Sequence, residues 1–501
     1  MNSPKQPSSA STPSHSDGHA STRLSNAFTS AKRRLNSASS AANDAAERAR
    51  KSGGVIVETM KDGLRPSAPQ SSVYHHNYGV PQKVREAVAS YSAPLTVLDL
   101  DAFRANARDM VTRANDTPIR VSSKSLRMKN AIKEALAQPG FSGVQAYSLQ
   151  EAIWLVKNGV SDDVLVSSPS TNKHALREIA QDEHLARAIT LTADSPEHLN
   201  FLDAVTDPEN RNELRICLDV DAALVIGRGM YIPGLSSGEA TKLWSTQTSD
   251  KDFSLRIGAL RSPIHGIRDA QAFVKEIWGR KNMKVVGILA FESQISDEGD
   301  AGTGIRPTMR RIMQSLSRGE IASRRQEIVH GVDFALMSAG LDQLEFVNGG
   351  GTGSLESTGT ESAVTEIAAG SGLIGPGLLD HFRSFHPHPA CWFVLPVIRR
   401  PGKGIIVVAG GGRVASGTPS HDKLPVIDFP AELEFAPREG AGEVQTALIG
   451  PASDGLAVGD KVWLRHAKAG EAMEWTNSVL VVSGGEVVDT WTTYRGEGFA
   501  F

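Results

Sequence analysis

Cysteine is nearly absent: the 501 residues include two, Cys217 and Cys391. Nothing so poor in cysteine is a secreted scaffold held by disulfides. Both lie in apolar, strand-like surroundings, RICLDV and PACWFVL, and are expected as buried reduced thiols, a single disulfide being the alternative. Neither sign of charge is in excess: 53 Lys and Arg face 56 Asp and Glu, a net charge of −3. The broadly basic surface of a nucleic-acid binder is therefore missing. No apolar run is long enough to span a bilayer. The N-terminus has no apolar core of a secretory signal, so the cytoplasm is the expected location. Large apolar side chains are scarce from 1 to about 72, where Ser, Ala, Asn and charged residues dominate. Such a stretch cannot bury enough surface to offset its ordering entropy and is expected to be a disordered tail. Within it, residues 24–51 place Leu24, Phe28, Ala31 and Leu35 at helical spacing beside Lys32, Arg33 and Arg34. A solvated helix is expected there, with docking on a membrane surface or a partner as the alternative.

What is present begins near Tyr74. Short β-branched runs alternate with amphipathic helical stretches: TVLD (96–99), IRVSS (119–123), VQAYS (144–148), DVLVS (163–167), AITLT (188–192), LRICLDV (214–220), VVGILAF (285–291), LEFVNG (344–349) and VTEIA (364–368). Repeated alternation means a mainly parallel sheet. Eight strands after TVLD is the count of an α/β (β/α)8 TIM-type barrel, with a doubly wound sheet as the alternative. After about Gly375 only Gly- and Pro-punctuated strands follow, as in WFVLPVIRRPGKGIIVVAGGG and NSVLVVSGGEVVDTWTTY, which indicates a C-terminal β domain. The expected limits are 73–375 for the barrel and 376–501 for the β domain. The polar segment 226–254 is long for a connection between barrel elements.

Two features carry chemistry. Lys124, in IRVSSKSLRMK, ends the first barrel strand. Catalytic groups of such barrels stand at strand C-termini, and a desolvated lysine there is a Schiff-base candidate, an ordinary rim lysine being the plainer reading. The run from Asn348 through Gly349, Gly350, Gly351, Thr352 and Gly353 to Ser354 follows the seventh strand. Glycines let backbone amides approach an anion there, in the loops where barrels often bind phosphate. A second Gly-rich turn, Gly370-Ser371-Gly372-Leu373, follows the eighth strand and would close the same pocket. Gly410-Gly411-Gly412 reads as a tight turn among the β-domain strands.

Lysine and phosphate cup together point to one cofactor. In order, VLDLDAFRANARDM, VSSKS, VQAYSLQEAIWLVKNGVSDDVLVSSP, FESQI, VNGGGTGS and TEIAAGSG resemble the N-terminal domain of the alanine racemase-like, fold-type III pyridoxal 5′-phosphate (PLP) enzymes. The branch most resembled holds D-threonine aldolase, D-serine dehydratase and an amino acid deaminase/aldolase group, and the likeness runs from about Tyr74 to Phe501. It implies a PLP barrel, a C-terminal β domain, a homodimer and a small amino acid substrate. It implies Lys124 as the Schiff-base lysine, Gly350, Gly351, Thr352 and Gly353 as the phosphate loop, and Gly370 and Ser371 as its second half. Arg256 resembles the arginine set against the pyridine nitrogen, which would moderate the ring's electron-sink character, although Arg261 in LRSP competes for that place. Glu292 and Gln294 match polar residues near the cofactor. Tyr147 and Ser148 end the second strand, Tyr147 as a cofactor neighbour or a packed barrel tyrosine.

One departure concerns metal. Metal-dependent members of that branch carry a His-x-Cys or His-x-Asp pair near the C-terminus, where this chain has His466 and Lys468. An ammonium has no lone pair to give a cation, so the resemblance does not carry a metal over, and the spacing of Glu471 does not suit the family site. His466 as an acid/base and Lys468 as a fixed positive charge remain catalytic candidates; the alternative is that both cap a turn. The leading expectation is a lyase, aldolase or dehydratase, acting on a D-configured β-hydroxy amino acid. A racemase comes second and would need an acid/base on the opposite face, for which Tyr494 is the one tyrosine of the C-terminal domain. A non-catalytic PLP-binding protein comes third.

Overall fold

Strands buried on both faces suit a parallel sheet that is covered on each side, and the aliphatic runs read above are of that kind. In the computed structural model, residues 79–226 and 255–501 are described, all within one unit, Pro69–Phe501. The tail expected over 1–72, the basic helix expected within it, and the polar stretch from 227 to 254 lie outside the described residues. Strand β1 (Leu95–Asp99) is followed by β2 (Ile119–Ser122), β3 (Phe141–Ala146), β4 (Val164–Val166), β5 (Ile189–Ala193) and β6 (Leu214–Asp219). A two-stranded antiparallel sheet, β7 (Leu224–Ile226) with β8 (Leu255–Ile257), is separate from the barrel. Then come β9 (Met283–Ala290), β10 (Phe346–Gly349) and β11 (Glu366–Ala369). Strands β2 to β6 and β9 to β11 close into a parallel barrel, with Ile367 opposite Ile119 at the seam. These are the eight runs read from the sequence.

Capping residues turn the chain from strand to helix. Asp99, Ser148, Asn172 and Ser195 each accept a backbone N–H of the helix they precede, which satisfies donors that no helical carbonyl reaches. Every barrel strand thus delivers its C-terminus to one rim. The barrel interior is filled rather than open. The Arg120 guanidinium donates to both Glu366 oxygens at 2.7 and 2.8 Å and to both Asp163 oxygens at 2.8 and 3.0 Å. Asn348 donates to Glu366 at 2.8 Å. A charge buried to this degree persists only when paired and hydrogen-bonded. The Phe346 ring enters the same interior because a Cβ at Gly287 would overlap it.

The β domain is a nine-stranded sheet built on the long β12 (Cys391–Gly402), with β13 (Ile405–Ala409), β14 (Val426–Phe429), β15 (Glu434–Phe435), β16 (Gln445–Ile449), β17 (Lys461–Arg465), β18 (Ser478–Ser483) and β19 (Glu486–Thr492). Strand β1 belongs to it, antiparallel to β12 and parallel to β18. The limits read from the sequence put that strand with the barrel; its hydrogen bonds put it here. Gly410 and Gly411 follow β13 with φ of 77° and 125°, as a turn requires. Cys217 and Cys391 are free and buried. Among the described residues no helix is long and apolar enough to cross a membrane.

Candidate active site

The chain leaves β2 in a short 3-10 turn, Ser123–Ser125. Ser123 and Ser125 are buried, and Ser123 Oγ donates to Gln145 O at 3.0 Å. Lys124 between them is exposed, because its side chain opens into a cavity of about 1090 Å³ at the barrel rim. The β domain forms the facing wall. Gly470, with φ of 65°, sits so close that a Cβ there would overlap Lys124 O. The turn that follows β17 is therefore seated directly on the Lys124 backbone.

Two glycine turns form another part of the wall. After β10 the chain reverses at Gly350, φ 68°, a conformation that costs glycine little. Gly351 N donates to Ser354 Oγ at 3.1 Å. Thr352 Oγ1 accepts from Gly372 N at 3.2 Å and from Ser371 Oγ at 2.9 Å, which ties the turn after β10 to the turn after β11. Gly350, Gly351, Thr352, Gly370 and Ser371 line the cavity together with Lys124. Gly353 stands just behind, where a Cβ would overlap Ser296 O. A Cβ on Gly351 would overlap Ser296 Oγ, and one on Gly370 would come within 2.7 Å of Ser122 O. Only glycine leaves this concave backbone open.

The other residues singled out by sequence divide. Tyr147 lines the cavity, with the Arg127 guanidinium 5.4 Å from its ring centre, and burial pushes its phenol pKa up. Ser148 is the helix cap described above. Lys468 lines the cavity, its Nζ 2.9 Å from Ser416 Oγ and 3.8 Å from Glu471. His466 does not line it. Its ring is buried, with Nδ1 2.6 Å from Lys468 O and 3.0 Å from Lys468 N within its own turn. Burial holds that imidazole below its ordinary pKa, in its neutral form. Glu292 and Gln294 are also behind the wall: Gln294 donates to Ala222 O at 2.8 Å, and Glu292 is held under the glycine turn. Arg256, on β8, lies 2.8 Å from His265 Nδ1 and 3.7 Å from Asp221. The cavity wall carries Arg261 instead.

Residues 98–230 match the family model described as alanine racemase, N-terminal domain. The chain has the alanine racemase fold. Among solved structures, a D-threonine aldolase from Filomicrobium marinum is 18% identical, with a TM-score of 0.60 over 82% of this chain and 97% of its own. A D-threo-3-hydroxyaspartate dehydratase from Delftia sp. HT23 is 17% identical, with a TM-score of 0.56 over 81% and 98%. An alanine racemase from Bacillus anthracis is 16% identical, with a TM-score of 0.52 over 81% and 99%. No curated protein matches. Identities this low carry the fold and no more.

Sequence reading missed the acidic side of this cavity. Asp219 ends β6, the same kind of position that singled out Lys124, and lines the cavity. Burial pushes its carboxyl up to about 7, and Asp194 and Asp221 add to this while Arg261 opposes it. Asp194 pairs with His198 at 2.9 Å. Asp297 follows the short helix Ser293–Ser296 and opens into the cavity with no hydrogen bond to its carboxylate from any described residue. The surrounding wall raises its pKa, against the pull of Lys124, Lys468 and Arg261. No motif marks Asp297; only folding brings it between two lysines distant in sequence.

Proposed function

We propose that this protein is a PLP-dependent lyase, of aldolase or dehydratase type, acting on a D-configured β-hydroxy amino acid. One observation carries the reading: an open lysine at the end of the first barrel strand shares a cavity with two joined glycine turns. The residues present suit PLP. Lys124 supplies the amine that would hold its aldehyde, and the turns around Thr352 and Ser371, packed so closely on their neighbours that their glycines have no room for a Cβ, bring backbone to the cavity as a phosphate cradle requires. PLP, when bound, withdraws electrons from the bonds at the substrate's α-carbon.

The chain's own residues then have separable tasks. Lys124 is a base placed for the α-proton. Lys468 keeps an ammonium at the cavity wall, held by Ser416, and stabilises negative charge on the substrate β-oxygen. Asp297 replaces His466 as the group that exchanges a proton with that oxygen, because it opens into the cavity and His466 does not. A homodimer acting on a free amino acid in the cytoplasm goes with this reading. The racemase alternative is disfavoured by Tyr494, which is buried and donates to Glu151 at 2.8 Å instead of lining the cavity. A non-catalytic PLP carrier has no need of a β domain that supplies one wall of the site. The test incubates the purified protein with D-threonine, D-serine, D-threo-3-hydroxyaspartate and both alanine enantiomers, and assays aldehyde, keto acid and enantiomer together. Aldehyde or keto acid from a D-hydroxy substrate is expected; enantiomer exchange alone would replace the reading with racemisation.

A further inference from the structure

Glu292 ends up beneath the cavity wall, and its carboxylate gathers four donors. Arg325 Nη2 at 2.7 Å and Gly350 N at 3.1 Å reach Oε2; Ser354 Oγ at 3.2 Å and Thr358 Oγ1 at 2.5 Å reach Oε1. The donors come from three separate elements: the glycine turn, the short helix Leu355–Thr358 behind it, and the long helix Ile305–Ser338. Glu292 and Arg325 are each 1% exposed. Arg325 also donates to Ala290 O at 3.0 Å and to Glu361. An ion pair buried so completely is costly to assemble unless it is hydrogen-bonded; here both carboxylate oxygens and both Arg325 Nη atoms are engaged, Nε alone lacking a partner, and the Glu292 bonds fix the turn.

We propose that Glu292 is a positioning residue for the phosphate end of the cavity: it shapes the anion cradle from below without touching the anion. The proposal rests on the reading of the two glycine turns as a phosphate cradle. By taking Gly350 N and Ser354 Oγ, Glu292 draws the first part of the turn away from the cavity; Ser354 Oγ in turn takes Gly351 N. On the outer side, Arg113 Nη2 donates to Thr352 O at 2.8 Å. In a planar trans peptide the C=O and the next N–H point in opposite directions, so Arg113 turns the Gly353 amide away from itself. Thr352 and Gly353 open the 3-10 turn Thr352–Ser354, whose first amides have no acceptor within the turn. With its other donors committed, the turn leaves these two amides free for an anion, Thr352 at the cavity surface and Gly353 just behind it.

The experiment titrates PLP-free protein with PLP, with pyridoxal, which lacks the phosphate, and with inorganic phosphate as competitor against PLP. In Glu292→Gln, PLP binding is expected to weaken about tenfold, the effect of one hydrogen bond to a charged group. Pyridoxal binding is expected to stay unchanged, and phosphate competition to weaken with PLP. Thr358→Val removes one donor and keeps the shape; it is expected to weaken PLP alone by about fivefold, and it decides the matter should Glu292→Gln not fold. Equal losses for PLP and pyridoxal would reduce Glu292 to a general core residue and overturn the proposal, as would unchanged PLP affinity in both variants. If the unsubstituted protein binds PLP no better than pyridoxal, the cradle reading fails instead, and this proposal falls with it.

Discussion

The two ends of the cavity are built differently. At the glycine turns, backbone atoms line the wall, and hydroxyls, amides and a buried ion pair fix them from behind. On the β-domain side the turn after β17 is anchored at its root, where Arg465 donates to Asp380 at 2.7 and 2.8 Å and to Asp428 at 3.0 Å. Its tip presents side chains, Lys468 and Glu471, to the cavity. A backbone wall accepts few substitutions, because a Cβ at Gly350, Gly351, Gly353 or Gly370 would collide with the groups packed against the turns. A side-chain wall can change its chemistry without moving the scaffold. On the proposed reading, one end suits a constant cofactor group and the other a variable substrate, and Lys468 stands where metal-dependent enzymes of the resembled branch carry a second metal ligand.

The contrast can be broken at either end. Gly351→Asp should have the largest effect: it drives atoms into Ser296 and sets a carboxylate beside the phosphate, so PLP retention should fall by roughly a hundredfold or more. Absorbance of the purified variant and PLP titration check this. Lys468→Met should leave PLP binding intact and lower turnover by about a hundredfold, the usual cost of removing one electrostatic donor, about 3 kcal/mol. Activity should also resist EDTA, whereas Lys468→Asp should make it respond to added manganese or zinc. Asp297→Asn should likewise retain PLP, and the pH profile of kcat should lose one ionisation relative to the unsubstituted protein.

The smallest effect concerns stability. Asp219 titrates near 7 in the fold and near the ordinary aspartate value of about 4 when unfolded. The native state therefore binds more protons, and the stability contributed by the neutral carboxyl is lost as pH rises from about 4 to 7. Asp219→Asn should not raise Tm below about pH 4; its gain should grow to about pH 7 and then stay level, at a few degrees. Thermal melts across that range measure it.

The barrel was legible because its signals are local. Each strand is a short β-branched run between capped helices, and Lys124 and the glycine runs stand where strands end. The partners of β1 were not, since Val97 pairs with Trp392 and Leu480 and no nearby residue reports a contact across that distance. Arg256 fitted an R-x-G pattern, yet on β8 it lies against Asp221 and His265. Glu292 was placed near the cofactor by the resemblance of its segment to the family's. The chain enters the helix Ser293–Ser296 at once, and the carboxylate drops behind the wall. His466 was visible as a residue type, but the fold of its ring onto Lys468 N was not.

The central claim is that Lys124 and the joined glycine turns hold PLP. Borohydride reduction of the purified, PLP-loaded protein, followed by peptide mapping, tests it most directly. The account predicts a reduced, covalent adduct on the peptide containing Lys124, with loss of the native absorbance band and no adduct in Lys124→Ala. An adduct on another lysine, or none on the protein as purified and loaded, would contradict it.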